Sequence, residues 1–296
     1  MKTRRLMALG VVAALAAGTV GLAGCGSSNS TAGADTSSTA GSTKTDLTGA
    51  ITVAGSDTMV NLAQAWAEEF MKANPGVQLS VKGGGSGTGI AALLNGTVDF
   101  ADSSREMKAE EIAQLKAKGG DAVQTVVARD GITIIVNPSN PIADISKDNL
   151  GKIYRGEITN WKAVGGPDKP ITIVSRDPSS GTYELFQEKA VGKDKKYAKS
   201  AKLLPSNQAI VDEVKANADA IGYIGVGYES ADVKPITLDG KSATKATVLD
   251  GSYELGRTLN MYSSGAPKDV MKDYVDWILS DVGQKIVTDQ GFVTVK

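Results

Sequence analysis

From Ile51 onward, apolar residues alternate between short β-type runs and stripes at helical spacing, and this predicts an α/β fold. ITVAGS (51–56) reads as a buried strand. A helix over 58–73 places Leu62, Trp66 and Phe70 on one face and stops at Asn74-Pro75-Gly76. VQLSVKG (77–83) and VDFADSS (98–104) read as further strands, the first leading through a glycine loop into a helix with Ile90, Leu93 and Leu94. A helix at 108–118 ends at Gly119-Gly120. The stretch 122–137 is too continuously apolar for one half-exposed strand, so two segments with a bend near Arg129-Asp130-Gly131 are expected. Residues 144–164 read as helix with a turn, and ITIVSR (171–176) as a buried strand. The helix after it carries Tyr183, Leu185, Phe186 and Val191. Helix is expected again at 206–218, strand at 220–228 and 258–264, and helices over 267–280 and 281–290. Val270, Tyr274, Trp277 and Ile278 share one face. The aromatic stripes are read as core rather than as sugar-stacking surfaces.

The start of the chain has a different pattern. Lys2, Arg4 and Arg5 precede an apolar run from Leu6 to Leu22, interrupted by Gly10, Gly18 and Gly21. This fits a signal peptide over 1–24 rather than a permanent span. Leu22-Ala23-Gly24-Cys25 resembles the bacterial lipobox, which implies lipidation of Cys25, the single cysteine. Residues 25–49 are rich in Ser, Thr, Gly and Ala and read as a flexible tether spanning roughly 25–30 Å. The expected location is the extracytoplasmic face of a cell membrane, lipid-anchored. No later run is long and apolar enough to span a bilayer.

Composition narrows the chemistry. The formal net charge is −1 and the basic residues are scattered, so nucleic acid is not an expected partner. The 296 residues include no histidine. A Ser–His–Asp relay and imidazole metal ligands are therefore excluded, and neither metal nor cofactor is expected. A serine enzyme using Lys or Asp lacks any supporting Ser-x-x-Lys pattern, so the chain is expected not to be an enzyme.

What the sequence offers instead is strand-to-loop-to-helix junctions suited to an anion: VAGSDTM (53–59), KGGGSGTGI (82–90) and SRDPSSGTY (175–183). Helix starts carry unpaired N–H groups and the positive end of the helix dipole. Ser56, Asp57 and Thr58 follow the first strand, and each could serve as a plain helix cap. Ser86 lies in the glycine loop. Arg176, a lone guanidinium at a strand end, precedes Ser180, Gly181 and Thr182 and could grip two oxygens of a tetrahedral anion. Ser103 and Ser104 add hydroxyls from a fourth loop, whereas Arg105 and Glu106 read as a solvated pair.

In this order, VAGSDTM, GGGSGTG, VDF…SSRE and SRDPSSGT resemble the phosphate-binding subunit of bacterial ABC phosphate transporters. IYRGEITNW (153–161) and IGYIG (221–225) also fit. The resemblance covers roughly 51–296 and implies a two-lobed type II periplasmic-binding-protein fold with a hinge and an interlobe cleft. Lobe one would comprise 50–129 and 257–296, and lobe two 130–256. It further implies capture of inorganic phosphate by a monomer, delivery to membrane permease subunits, and ligand roles for the residues named above. Better-known members carry an aspartate where Ser104 stands. Asp57, and after it Asp102, are the candidate acceptors for the phosphate proton. Another tetrahedral oxyanion (sulfate, molybdate, tungstate) or a sensory role remains open at this point.

Overall fold

The computed structural model describes residues 47–295. The first part runs β1 (Thr48–Gly55), α1 (Val60–Ala73), β2 (Gly76–Lys82), α2 (Ser86–Leu94), β3 (Phe100–Ser103), α3 (Ala109–Ala117) and β4 (Ala122–Val136). The second contains β5 (Asp144–Ile145), α4 (Lys147–Arg155), β6 (Thr172–Arg176), α5 (Gly181–Phe186), β7 (Lys202–Leu204), α6 (Asn207–Ala216), β8 (Ala220–Gly225), β9 (Lys234–Leu238) and α7 (Lys245–Leu249). The chain then returns through β10 (Gly256–Ser264), α8 (Asp269–Ile278) and α9 (Asp281–Asp289). Cys25 and the leader and tether up to residue 46 lie outside the described residues; Thr48 and Gly49, expected at the end of the tether, instead begin β1, and Leu47 packs against the core beside it.

The strands follow the order β2-β1-β3-β10-β4-β8-β6-β7, with β9 beside β4 and β5 beside β9. β4 is where this arrangement changes partner. Its residues 122–131 pair antiparallel with β10, and Ile132–Val136 pair with β8. The stretch expected to form two segments is thus one strand. Its two apolar stretches flank Arg129-Asp130-Gly131, and each is buried because it lies in a different part of the molecule.

Two cores result. In the first, α1 buries Leu62, Trp66 and Phe70 at helical spacing, and Phe70 meets Tyr274 edge-on at 5.0 Å between ring centroids. The Asn74 side-chain amide donates to Phe70 O at 2.9 Å and so satisfies a carbonyl left open where Pro75 prevents further helix. In the second core, Phe186 and Tyr223 stack at 4.0 Å, and Tyr154 packs edge-on against Phe186. Fully burying one such side chain contributes about 1.5–3 kcal/mol. The chain crosses between the cores twice, from Val127 and Ala128 to Ile132 on β4, and from Leu255 back to Leu259 at the start of β10.

Most of the expected elements are present within a few residues. The segment 144–164, expected as helix with a turn, holds α4 and a 3-10 turn at Trp161–Val164, preceded by the short strand β5. α5 passes directly into a π-helical segment, Gln187–Gly192, and the strand at 220–228 stops at Gly225. β7, β9 and α7 are short elements between turn-forming residues, too brief for hydrophobic periodicity to mark.

Candidate functional site

The site forms where strand ends from both cores meet. β1 ends at Gly55, whose φ of +145° and close approach to Asp102 O would not admit a side chain. Ser56 N then donates to Asp102 O at 2.8 Å, tying the β1 and β3 loops together. This places Thr58 beside the end of β3 and the start of α2. Ser104 N donates to Ser86 Oγ at 3.1 Å, and the two hydroxyls are 3.3 Å apart.

The second core supplies the opposing wall. β6 delivers Arg176 to its C-terminal end. Ser180 caps the next helix, its Oγ accepting from Tyr183 N at 3.3 Å. Thr182 Oγ1 lies 2.9 Å from Thr58 Oγ1, so the two walls touch. Gly181 faces the serines: a Cβ built on it would stand 2.4 Å from Ser86 Oγ and 2.9 Å from Ser104 Oγ. On the rim, Gly87 N donates to Ser179 O at 3.0 Å, and Ser179 Oγ donates to Gly84 O at 3.2 Å.

Thr58, Ser86, Ser104, Ser180, Gly181 and Thr182 are therefore brought together, all with little or no solvent exposure. Ser103 is not among them, since its hydroxyl donates to Arg105 O at 2.7 Å. Ser56 is buried beside the group, and its hydroxyl has no hydrogen-bond partner. Arg176 is 1% exposed. Its Nη2 donates to Pro205 O at 2.9 Å, while Nε and Nη1 have no hydrogen-bond partner. Burial lowers its pKa, and the nearby Asp57 carboxylate opposes that shift. With Nε unpartnered and Nη1 in charge contact only, with Asp57, this buried cation retains N–H groups to offer an oxyanion.

Asp57 pairs with Arg176 at 3.3 Å through Oδ2. The same oxygen accepts from Asn207 N at 2.8 Å and Asn207 Nδ2 at 2.6 Å. Asn207 Oδ1 in turn accepts from Gly225 N at 3.1 Å, which fixes the amide. Asp102, the other acidic candidate, lies on the Phe100 face of β3, because side chains alternate along a strand. It is directed toward the first core, where its charge raises the Tyr274 pKa further beyond the effect of burial. Burial raises the Asp102 carboxyl itself to about 8.

Two expectations need correction. Arg105 and Glu106 do not form a solvated pair. Arg105 is buried and makes two bonds of 2.8 Å to Glu111. Its guanidinium is needed where β3 meets the opposing wall, and local sequence does not show this. Nor is Arg176 alone. Arg257, at the start of β10, donates through Nη1 to Thr182 Oγ1 at 2.8 Å and approaches Thr58 Oγ1 through Nη2 at 3.4 Å. Its Nε and Nη2 bind Asp130 Oδ2 at 2.8 and 2.5 Å. Neither Arg257, Asp130 nor Asn207 belongs to a glycine-rich junction, so the signal used to find the other residues passes them by.

Gly181→Ala is expected to weaken anion binding about tenfold, because the new methyl must displace one of the two serine hydroxyls or hold the walls apart. Calorimetric titration checks this; unchanged affinity would show that the Gly181 contact is not part of the pocket.

Comparison with known proteins agrees with this architecture. A family model described as a PBP superfamily domain matches residues 29–282. The phosphate-binding protein PstS of Bacillus subtilis (strain 168) is 35% identical over 249 residues, covering 83% of this chain and 81% of that protein. A Clostridium perfringens substrate-binding protein, assigned to phosphate ABC transport and solved with bound phosphate, is 32% identical with a TM-score of 0.79. That match covers 84% of this chain and all of the other. An ABC-type phosphate transport receptor from Vibrio cholerae is 29% identical with a TM-score of 0.70, covering 82% of this chain and 99% of that one. With its α/β architecture, its strand-end cluster of hydroxyls and arginines and this degree of identity, the chain belongs to the PBP superfamily and, within it, to the family of the phosphate-binding proteins PstS.

Proposed function

We infer that this chain is the extracytoplasmic solute-binding subunit of an ABC phosphate importer, capturing inorganic phosphate between its lobes and delivering it to permease subunits in the membrane. The observation that carries this reading is the meeting of hydroxyls from both walls with two buried guanidinia at one point. In this reading Thr58, Ser86, Ser104, Ser180 and Thr182 donate hydroxyl or backbone bonds, and Gly181 lets the backbone approach the anion. Arg176 and Arg257 supply the charge. Ser56 and Ser103 shape the loops from behind. Lobe one takes in 50–129 and 257–296, and lobe two 130–256, with β4 and the start of β10 as the hinge. Capture follows because an anion touching both walls is bound fully only when they close.

The proton of monohydrogen phosphate requires an acceptor, and Asp57 provides it. Asn207 and Arg176 hold its Oδ2, which leaves Oδ1 to face the ligand. Sulfate has no proton at neutral pH and would leave that oxygen unsatisfied against a like charge. Cys25 carries the lipid, and the tether lets the folded part reach the permease. The chain binds its solute without transforming it.

Titration of the phosphate-stripped protein with inorganic phosphate is expected to give a dissociation constant in the micromolar range or tighter. Absence of heat at tens of micromolar protein would sink the assignment. Sulfate, molybdate and tungstate are expected not to compete. Arg176→Ala removes about two charge-assisted bonds worth roughly 1.5 kcal/mol or more each, and is expected to weaken binding about 100-fold.

A further inference from the structure

A second set of contacts joins the two walls away from the anion pocket. Glu184 lies on α5, the helix whose start carries Ser180, Gly181 and Thr182. Its carboxylate is 3.1 Å from Arg105 Nε and 2.6 Å from Lys108 Nζ, both from the segment after β3. The Arg105 contact is a charge contact rather than an aligned hydrogen bond. Arg105 is already fixed within its own wall: Nη1 and Nη2 grip Glu111, and Nη1 also donates to Glu106 O at 2.9 Å. Glu111 Oε2 also accepts from Lys108 N at 2.8 Å, which caps α3. Burial pushes the Glu111 pKa up, but these hydrogen bonds outweigh it and hold the carboxyl below its ordinary value.

The four groups therefore divide unequally. Arg105, Lys108 and Glu111 remain together whether the walls meet or part, with one positive charge in excess. Glu184 is the group that must leave when they part. Separation exposes an unpaired carboxylate on α5 and an unpaired cation on the other wall. Side-chain exposures of 7%, 16% and 20% for Arg105, Glu111 and Glu184 set this cluster apart from surface pairs such as Lys72–Glu69, at 76% and 52%, which contribute little. The cluster also forms part of the wall of a half-open cavity of about 660 Å³ that reaches Arg257, so it lies on the seam between the walls.

We propose that Glu184 is an affinity-determining residue outside the anion pocket, an interlobe latch that holds the closed form through Arg105 and Lys108 and so slows phosphate release. This rests on the phosphate-capture reading given above. The latch forms only as the walls meet, after the anion has entered. Its loss therefore acts on dissociation and leaves association alone.

The test is stopped-flow measurement of phosphate association and dissociation on the full chain, comparing the parent with Glu184→Gln and, as a second and more exposed variant, Lys108→Gln. Glu184→Gln is expected to raise the dissociation rate about tenfold with association within twofold, and Lys108→Gln to do the same to a smaller extent. Added salt is expected to speed release from the parent more than from Glu184→Gln. A dissociation rate unchanged in both variants, or a change confined to association, overturns the latch. A parent chain that takes up no phosphate at all overturns the phosphate-capture reading instead, which keeps the two failures distinguishable.

Discussion

Replacing Arg257 with alanine is expected to weaken phosphate binding more than 1,000-fold and to lower folding stability by about 3–5 kcal/mol. Both effects have one origin. Asp130 is fully buried, with Oδ2 bound twice by Arg257 and Oδ1 accepting from Val226 N at 3.0 Å. Without the guanidinium, a carboxylate remains buried with only the backbone N–H groups of Val226 and Gly131 to offset its charge. Breaking a buried ion pair from one side costs far more than never having made it. The same arginine touches Thr182, approaches Thr58 and donates to Ser104 O at 3.3 Å. Its loss therefore removes a cation from the anion seat and also frees hydroxyls on both walls. The combined change Asp130→Asn with Arg257→Met separates the two roles. Denaturant unfolding is expected to recover most of the lost stability, while titration still finds no binding at micromolar phosphate. If Arg257→Ala alone bound within tenfold of the parent, the second guanidinium would have no part in anion capture.

Stability is expected to fall as pH rises from about 4 to about 8, in the part of the profile owed to Asp102. The folded chain holds this proton up to about 8, whereas an exposed aspartate releases it near 3.8. A folded pKa above the unfolded one stabilises fully at pH below 3.8, and the contribution is lost as pH climbs through the folded value. At about 1.4 kcal/mol per unit, the interval amounts to several kcal/mol. Glu111, held below its ordinary pKa by Arg105 and Lys108, works the other way and weakens the fold only in acid. Asp102→Asn keeps the shape of the protonated carboxyl and cannot ionise. Its melting temperature is expected to match the parent near pH 3, below the unfolded value, and exceed it clearly at pH 8. Parallel profiles for the two proteins would mean that Asp102 ionises without cost, and that the core around Tyr274 is not as closed as its contacts indicate.

Much of the molecule is legible in the chain because it is written locally. The faces of α1 and α8 follow from apolar residues three and four apart. The strand-end loops at Ser56–Thr58, Ser86 and Arg176–Thr182 are marked by glycines and capping hydroxyls within a few positions of each other. Backbone N–H groups at a helix start need no distant partner to be available, so a candidate anion seat can be read before the fold is known. Family resemblance placed the junctions in order and supplied the two-lobed arrangement; composition excluded histidine chemistry outright.

Only the tertiary structure decided which charges face one another. Arg257 meets Asp130 across 127 positions of sequence and Thr182 across 75, and Asp57 is held by Asn207 from 150 away. No periodicity or motif records such pairings, since they depend on which strands the sheet brings side by side. The same reason explains Arg105: beside Glu106 it looks solvated, yet α5 arrives from elsewhere and buries it. It also explains why 122–136 is one strand, whose two halves have different neighbours. Local chemistry marked where an anion could be received, and long-range packing decided which guanidinia and carboxylates meet there.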